Sequence, residues 1–244
     1  GNNVSCAGGT DGMVDMTIAG GTAPFTIAWT DGIGFAANTE DISSIGAGFY
    51  QASVSDANGC TQTANIPLSA PTALDLSATL SSINGNNVTC DGANDGSIDM
   101  SVSGGVGPYT IAWNNGSTDE DLTDITAGTY DVTVTDANGC TANASYTLTA
   151  PVTVVVDVTS SAQPGGNSIT CAGGTDGTLD AIVAGGTAPY DIAWSGPNGF
   201  VANSASLSGL VAGSYDLVVT DANGCSHTTT NILTEPAQVV PTLS

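Results

Sequence analysis

Apolar and polar positions alternate along most of the chain. Tyr130, Val132 and Val134 interleave with Asp131, Thr133 and Thr135, the two-residue period of a strand with one buried face. Asp136-Ala137-Asn138-Gly139 then reads as a turn, because Asp bonds backbone two residues on and Asn and Gly tolerate positive φ. The stretch returns at 48–60 around Tyr50 and Val54, and at 213–225 around Tyr215, Leu217 and Val219, each time ending Asp-Ala-Asn-Gly-Cys. The chain is therefore three copies of one unit.

Each unit carries two further alternating runs. One follows an Asp-Gly pair: Ile98, Met100 and Val102 face a core while Asp99 and Ser101 face water. The other follows Gly-Gly and a Pro-aromatic pair and ends in Trp, as in Pro108-Tyr109-Thr110-Ile111-Ala112-Trp113. The aromatic, the Ile and the Trp share a face, which puts Trp29, Trp113 and Trp194 at the centres of three cores, with Tyr50, Tyr130 and Tyr215 beside them. The variable piece lies between the Trp and Tyr strands. The first and third copies hold Gly34-Phe35 and Gly199-Phe200 there, and the second has room for one strand near 121–125. Each unit closes on a strand that stops at Ala70-Pro71, Ala150-Pro151 or Glu235-Pro236.

These runs predict an all-β chain of tandem sandwiches joined by short, Pro-stiffened connections. The expected domains are 1–71, lacking its opening strand, then 72–151 and 152–236. The stretch 237–244 is a spare opening strand for the next domain or subunit. An unpaired edge beside a short core invites strand addition. Val239, Val240 and Leu243 are the expected donor residues of a head-to-tail contact, either with another copy or with flanking repeats of a longer chain.

Six cysteines fall two per unit: Cys6 and Cys60, Cys90 and Cys140, Cys171 and Cys225. One pair per small module predicts one disulfide within each domain and an oxidising compartment. Loops of that size gain roughly 4 kcal/mol in the chain-entropy model. Neither a CxxC pair nor a His partner accompanies them, which sets a metal site aside.

Charge narrows the function. The chain has 23 Asp and Glu, no Lys, no Arg and one His. Nucleic acid, which needs a basic patch, is excluded as a partner. So are ion pairs to Lys or Arg, Lys–Asn isopeptide bonds and cleavage by trypsin-like proteases. There is no apolar run long enough for membrane insertion. The one histidine, His227, aligns with Gln62 and Ala142 and is no part of the repeated design, so catalysis is not expected. No cofactor is expected either, although one cation deserves weighing. Asp11, Asp95 and Asp176, with Asp56, Asp136 and Asp221, would supply hard oxygens to calcium if the chain gathers them. The same residues read more simply as turn caps, since no EF-hand-like ligand string is present. Sequons stand at Asn3, Asn87, Asn115 and Asn143.

The combination Cys…Asp-Gly…Gly-Gly…Pro-Tyr…Trp…Gly-Thr-Tyr…Val-Thr-Asp-Ala-Asn-Gly-Cys-Thr resembles the SprB-type repeat of large surface adhesins of gliding bacteria. The resemblance covers the chain three times over. It implies immunoglobulin-like extracellular modules in long secreted proteins that carry adhesion at the cell surface. The expected function is a non-enzymatic structural and adhesive repeat protein, in filament or stalk form. The alternative is carbohydrate-binding modules, calcium-dependent if the carboxylates converge. Surface glycans would then need exposed aromatics, for which Phe35, Phe49 and Phe200 are the candidates.

Overall fold

The computed structural model describes residues 4–241. Among them every regular element is a strand except one 3-10 turn at Pro197–Gly199. The first repeat contains β1 (Gly12–Val14), β2 (Thr26–Thr30), β3 (Ala36–Ala37), β4 (Ile42–Ile45), β5 (Gly48–Ser55) and β6 (Thr61–Leu68). The second contains β7 (Asp75–Leu80), β8 (Gly96–Ser103), β9 (Thr110–Trp113), β10 (Leu122–Ile125), β11 (Gly128–Thr135) and β12 (Thr141–Leu148). The third contains β13 (Val155–Ser160), β14 (Gly177–Ala184), β15 (Asp191–Gly196), β16 (Phe200–Ala202), β17 (Ser206–Leu210), β18 (Gly213–Thr220) and β19 (Ser226–Leu233).

By contacts the chain forms two compact units whose limits differ from those of the repeats. One holds Gly1–Thr79, Ile98–Leu122 and Thr129–Tyr146, and the other holds Leu80–Ser97, Thr123–Gly128 and Thr147–Ser244. The first repeat thus lies in one unit, the third in the other, and the second is shared.

The third repeat shows the fold in full. β13-β14-β17 make one sheet and β16-β15-β18-β19 the other, all neighbours antiparallel. Strands one, two and five face strands four, three, six and seven, which is an immunoglobulin-like sandwich. Its core joins Ile169, Leu179, Trp194, Tyr215, Leu217 and Leu233. The alternation follows from the pleat: in β18, Tyr215, Leu217 and Val219 are buried while Ser214, Asp216 and Val218 are exposed. Trp194 donates its indole N–H to the Ser204 carbonyl at 3.0 Å, so burial costs it no hydrogen bond. Trp29 and Trp113 do the same to Thr39 and Asp119 at 2.9 Å. Tyr50 and Tyr215 each bond a carbonyl four residues back, at Gly46 and Val211, both at 3.0 Å. Tyr130 is likewise buried. Phe35 and Phe200 stand edge-on to Tyr50 and Tyr215 at 5.4 and 5.5 Å and close the variable loop over the core. Phe49 is exposed.

The first repeat follows the same plan on one sheet, β3-β2-β5-β6, but differs on the other. β8 is flanked by β7 and β10, and β14 by β13 and β17, whereas β1 pairs with β4 alone. The residues after Val14 continue the alternation, yet β1 is three residues long where β8 and β14 are eight. With β4 as its one partner, β1 is regular only over the three residues that pair with β4, and a two-stranded pair is marginal.

Candidate functional site

The repeated chemistry gathers at two places in each repeat. The first is the Asp-Ala-Asn-Gly-Cys turn. In the second repeat Asp136 accepts the N–H groups of Asn138 and Cys140 on Oδ1, both at 2.9 Å, and that of Val106 on Oδ2 at 2.9 Å. The third repeat copies this with Asp221, Asn223, Cys225 and Thr187, at 2.9, 2.9 and 2.8 Å. The first repeat copies it with Asp56, Asn58, Cys60 and Thr22, at 2.9, 2.9 and 3.1 Å. The carboxylate thereby fixes the cysteine against the Gly-Gly loop at the same end of the sandwich. Burial alone would raise the Asp136 carboxyl, but the N–H groups of Cys140, Val106, Asn138 and Gly139 outweigh it and hold the group below the usual carboxylate range.

The second place is the loop that leads into the Asp-Gly strand. Asp11, Asp95 and Asp176 cap it by accepting backbone N–H groups of Ser5, Thr89 and Thr170 at 3.1, 3.1 and 3.2 Å. The hydroxyls of Thr89 and Thr170 bond the second oxygens of Asp95 and Asp176. The side-chain hydroxyls of Ser5, Thr89 and Thr170, and then their backbone N–H groups, hold all three carboxyls low. Among the described residues no three His, Cys, Asp or Glu side chains converge. The six aspartates are thus engaged as caps of backbone N–H groups.

The cysteines pair differently from the expectation of one disulfide per domain. Cys6 is bonded to Cys140 and Cys90 to Cys225, with Cα–Cα distances of 5.7 and 5.6 Å. Cys60 and Cys171 are free and exposed. The pairs Cys6–Cys60, Cys90–Cys140 and Cys171–Cys225 do not form, and strand direction explains why. In the third repeat Ser168 and Ile169 donate to the Thr234 carbonyl, beyond the far end of β19 from Cys225. The eight residues of β19 span about 27 Å at roughly 3.4 Å each, while a disulfide needs Cα atoms within about 7 Å. Val4 likewise donates to Ser69, past the far end of β6 from Cys60. Each repeat therefore carries its two cysteines at opposite ends, and each disulfide joins the leading cysteine of one repeat to the turn cysteine of the next. Asn138 seals the first junction by donating its side-chain N–H to the Ser5 carbonyl at 2.8 Å.

The Gly-Gly loop is where an opening strand arrives. In the second repeat Gly105 donates to the Thr72 carbonyl at 2.9 Å, and a Cβ on Gly105 would meet Leu74. In the third, Gly186 donates to the Val152 carbonyl at 3.0 Å and a Cβ there would meet Val154. Both glycines also hold positive φ, +60° and +61°, so two constraints select glycine. In the first repeat no such strand lies beside Gly20 and Gly21 among the described residues. A shallow cavity of about 250 Å³ lined by Ile18, Gly20, Gly21, Val54, Asp56 and Cys60 marks the same place.

Counting from Pro71, Pro151 and Pro236, Val239 holds the position of Leu74 and Val154. Val154 is 6% exposed and Val239 is 89% exposed. Val240 is exposed as its counterpart Val155 is, and Leu243 lies outside the described residues.

A cell-adhesion molecule fragment, the N-terminal eight Ig domains of Down Syndrome Cell Adhesion Molecule isoform 1.30.30, aligns with 90% of the chain at 16% identity and TM-score 0.35. This chain spans about a third of that one (33%). A tetra-tandem repeat from the extending region of a large adhesion protein aligns with 94% of this chain and 68% of its own, at 18% identity and TM-score 0.24. No curated protein matches the sequence. The SprB repeat profile matches three times, at residues 2–34, 82–118 and 167–199, each running from the leading loop to the Trp strand or just beyond. Three segments of the chain, one in each repeat, therefore match the SprB repeat.

Proposed function

We propose that this chain is a structural, non-enzymatic part of an extracellular adhesive protein, whose repeats continue head to tail by strand addition. In this reading Ala237–Val239 of one copy lie against Gly20–Gly21 of the next. The Gly21 N–H donates to the Ala237 carbonyl, as Gly105 does to Thr72 and Gly186 to Val152, and Val239 enters the first repeat's core as Val154 enters the third's. The observation that carries the reading is the contrast between Val154 and Val239, one repeat position in two states of burial. Pro241, which holds the place of Val156, suits an edge strand, where a missing N–H costs no ladder bond on the outer side. A head-to-tail contact that does not close into a ring grows into a filament. The surplus of 23 negative charges keeps finished filaments apart.

Electron microscopy of the purified chain with and without residues 237–244 tests this. The intact chain is expected to form filaments, and the shortened chain to remain single with its third repeat folded. Unchanged filaments from the shortened chain would rule out strand donation.

A further inference from the structure

We infer that Cys171 of one copy and Cys60 of the next form an intermolecular disulfide, which makes the filament a covalent polymer. The inference rests on the head-to-tail reading and adds a bond to it. Inside the chain one rule covers both disulfides: the leading cysteine of a repeat bonds the turn cysteine of the repeat that follows, as Cys6–Cys140 and Cys90–Cys225. Cys171 is the leading cysteine of the last repeat and Cys60 the turn cysteine of the first. They are the two thiols for which the rule finds no partner within the chain, and they are the two free and exposed ones.

Three further observations place these thiols at the surfaces that strand addition brings together. Cys60 lines the same cavity as Gly20 and Gly21, so the thiol and the strand-accepting loop share one end of the first repeat. At the other end of the chain the Gly173 N–H bonds the Glu235 carboxylate at 2.7 Å, which ties the Cys171 loop to the start of the tail. The tail and the thiol therefore leave the third repeat together. Within the third repeat the finished version of this arrangement exists already: Val152, Thr153 and Val154 line one depression with Cys90 and Cys225. Opening strand and disulfide arrive side by side there. Asp56 holds Cys60 by the same N–H bonds with which Asp221 holds Cys225, so the acceptor thiol is in place before its partner comes.

The bond requires an oxidant, and a low-molecular-weight disulfide of the oxidised glutathione class is sufficient. The Cys60 thiolate attacks that disulfide and expels one small thiol. The Cys171 thiolate then attacks the mixed disulfide and expels the second. Two protein thiols are oxidised to one disulfide, and the small disulfide is reduced to two thiols that take up the two protons.

The test uses the whole chain, exposed to oxidised glutathione and run on a non-reducing denaturing gel. The wild type is expected to give a ladder in steps of one 23.9 kDa chain that collapses with reductant. Digestion must use an Asp-directed protease, since trypsin has no site, and the linked peptides should contain Cys171 and Cys60. C60S alone and C171S alone are each expected to stay monomeric on the gel, and an equal mixture to stop at dimers. Both variants keep the two internal disulfides, so sedimentation of C60S reports strand docking without the new bond. Sedimenting wild-type assemblies whose Cys60 and Cys171 remain open to alkylation after oxidation would overturn the disulfide and leave strand docking standing. Dimers from C60S alone would overturn it by revealing Cys171–Cys171 pairing. Absence of both assembly and ladder would overturn both readings.

Discussion

Replacing Trp194 by Ala should unfold the third repeat. The side chain is 2% exposed and sits in the cluster of Ile169, Leu179, Tyr215, Leu217 and Leu233. Truncating a buried Trp costs about 3–5 kcal/mol through lost transfer energy and the cavity left behind. The Ser204 carbonyl also loses its indole partner, for roughly 1 kcal/mol more where water does not replace it. Against this stands a domain of roughly 80 residues, which at about 0.05–0.15 kcal/mol per residue holds about 4–12 kcal/mol. A loss of about 4–6 kcal/mol unfolds a repeat at the low end of that range and removes at least about a third of the stability at its high end. Trp194→Phe, which keeps a ring but loses the N–H, should leave the repeat folded at reduced stability. Far-ultraviolet circular dichroism should lose one repeat's share of strand signal in plain buffer. Trp29 and Trp113 emission should still report a folded environment until urea is added. A loss under about 1 kcal/mol would show that the repeat does not depend on its Trp, against the general cost of such truncations.

Peptide mapping of unreduced protein should find Cys6–Cys140 and Cys90–Cys225; finding Cys6–Cys60 would contradict the strand directions given above. Acid should destabilise the chain in a defined window. The carboxyls of Asp11, Asp56, Asp95, Asp136, Asp176 and Asp221 are all held low, as is that of Asp31, which accepts the N–H groups of Ile33, Phe35 and Gly34, so their stabilisation is present above the ordinary carboxylate value near 3.9 and is lost as pH falls through their lower folded values. The melting temperature should be flat from neutral to about pH 5 and fall below about pH 4. A rise on acidification would mean that relief of the net charge outweighs these caps. Because both oxygens of Asp136 accept backbone N–H groups, millimolar calcium added to metal-stripped protein should leave the melting temperature unchanged, and a clear upward shift would identify a cation site.

Much of this architecture can be read from residue patterns. The period-two runs mark β8, β11, β14 and β18, and the recurring Trp marks the centre of each core, because burial of one strand face leaves a direct trace in sequence. Disulfide partners leave no such trace. Counting one strand between the Trp and Tyr strands brings a repeat's two cysteines to the same end. The chain makes one more crossing: β3 and β16 run back along the Trp strand before β4 and β17 begin, and in the second repeat an irregular stretch between β9 and β10 takes that place. Two or three residues of strand, with no alternation to announce them, reverse the parity and send the cysteines to opposite ends. The aspartates illustrate a second limit. Their spacing reads more simply as turn caps than as cation ligands, but which backbone N–H groups they cap is set by strand positions that no local pattern announces. Phe35 and Phe200 pack on tyrosines, and of the three aromatics that a sugar platform would need, only Phe49 faces solvent.

Hydrogen exchange over residues 17–21 tests the head-to-tail account most directly. In the third repeat the matching residues of β14 pair with β13 through Val155↔Ala184, Val156↔Val183 and Asp157↔Ile182, and the following glycine donates to Val152. In the first repeat every second amide of this stretch gains such a bond when another copy's tail arrives. Slow exchange is expected at 17, 19 and 21 in assembled protein and fast exchange there in protein lacking 237–244, with the rest of the first repeat changing little. Equal exchange in the two samples, with filaments present, would contradict it.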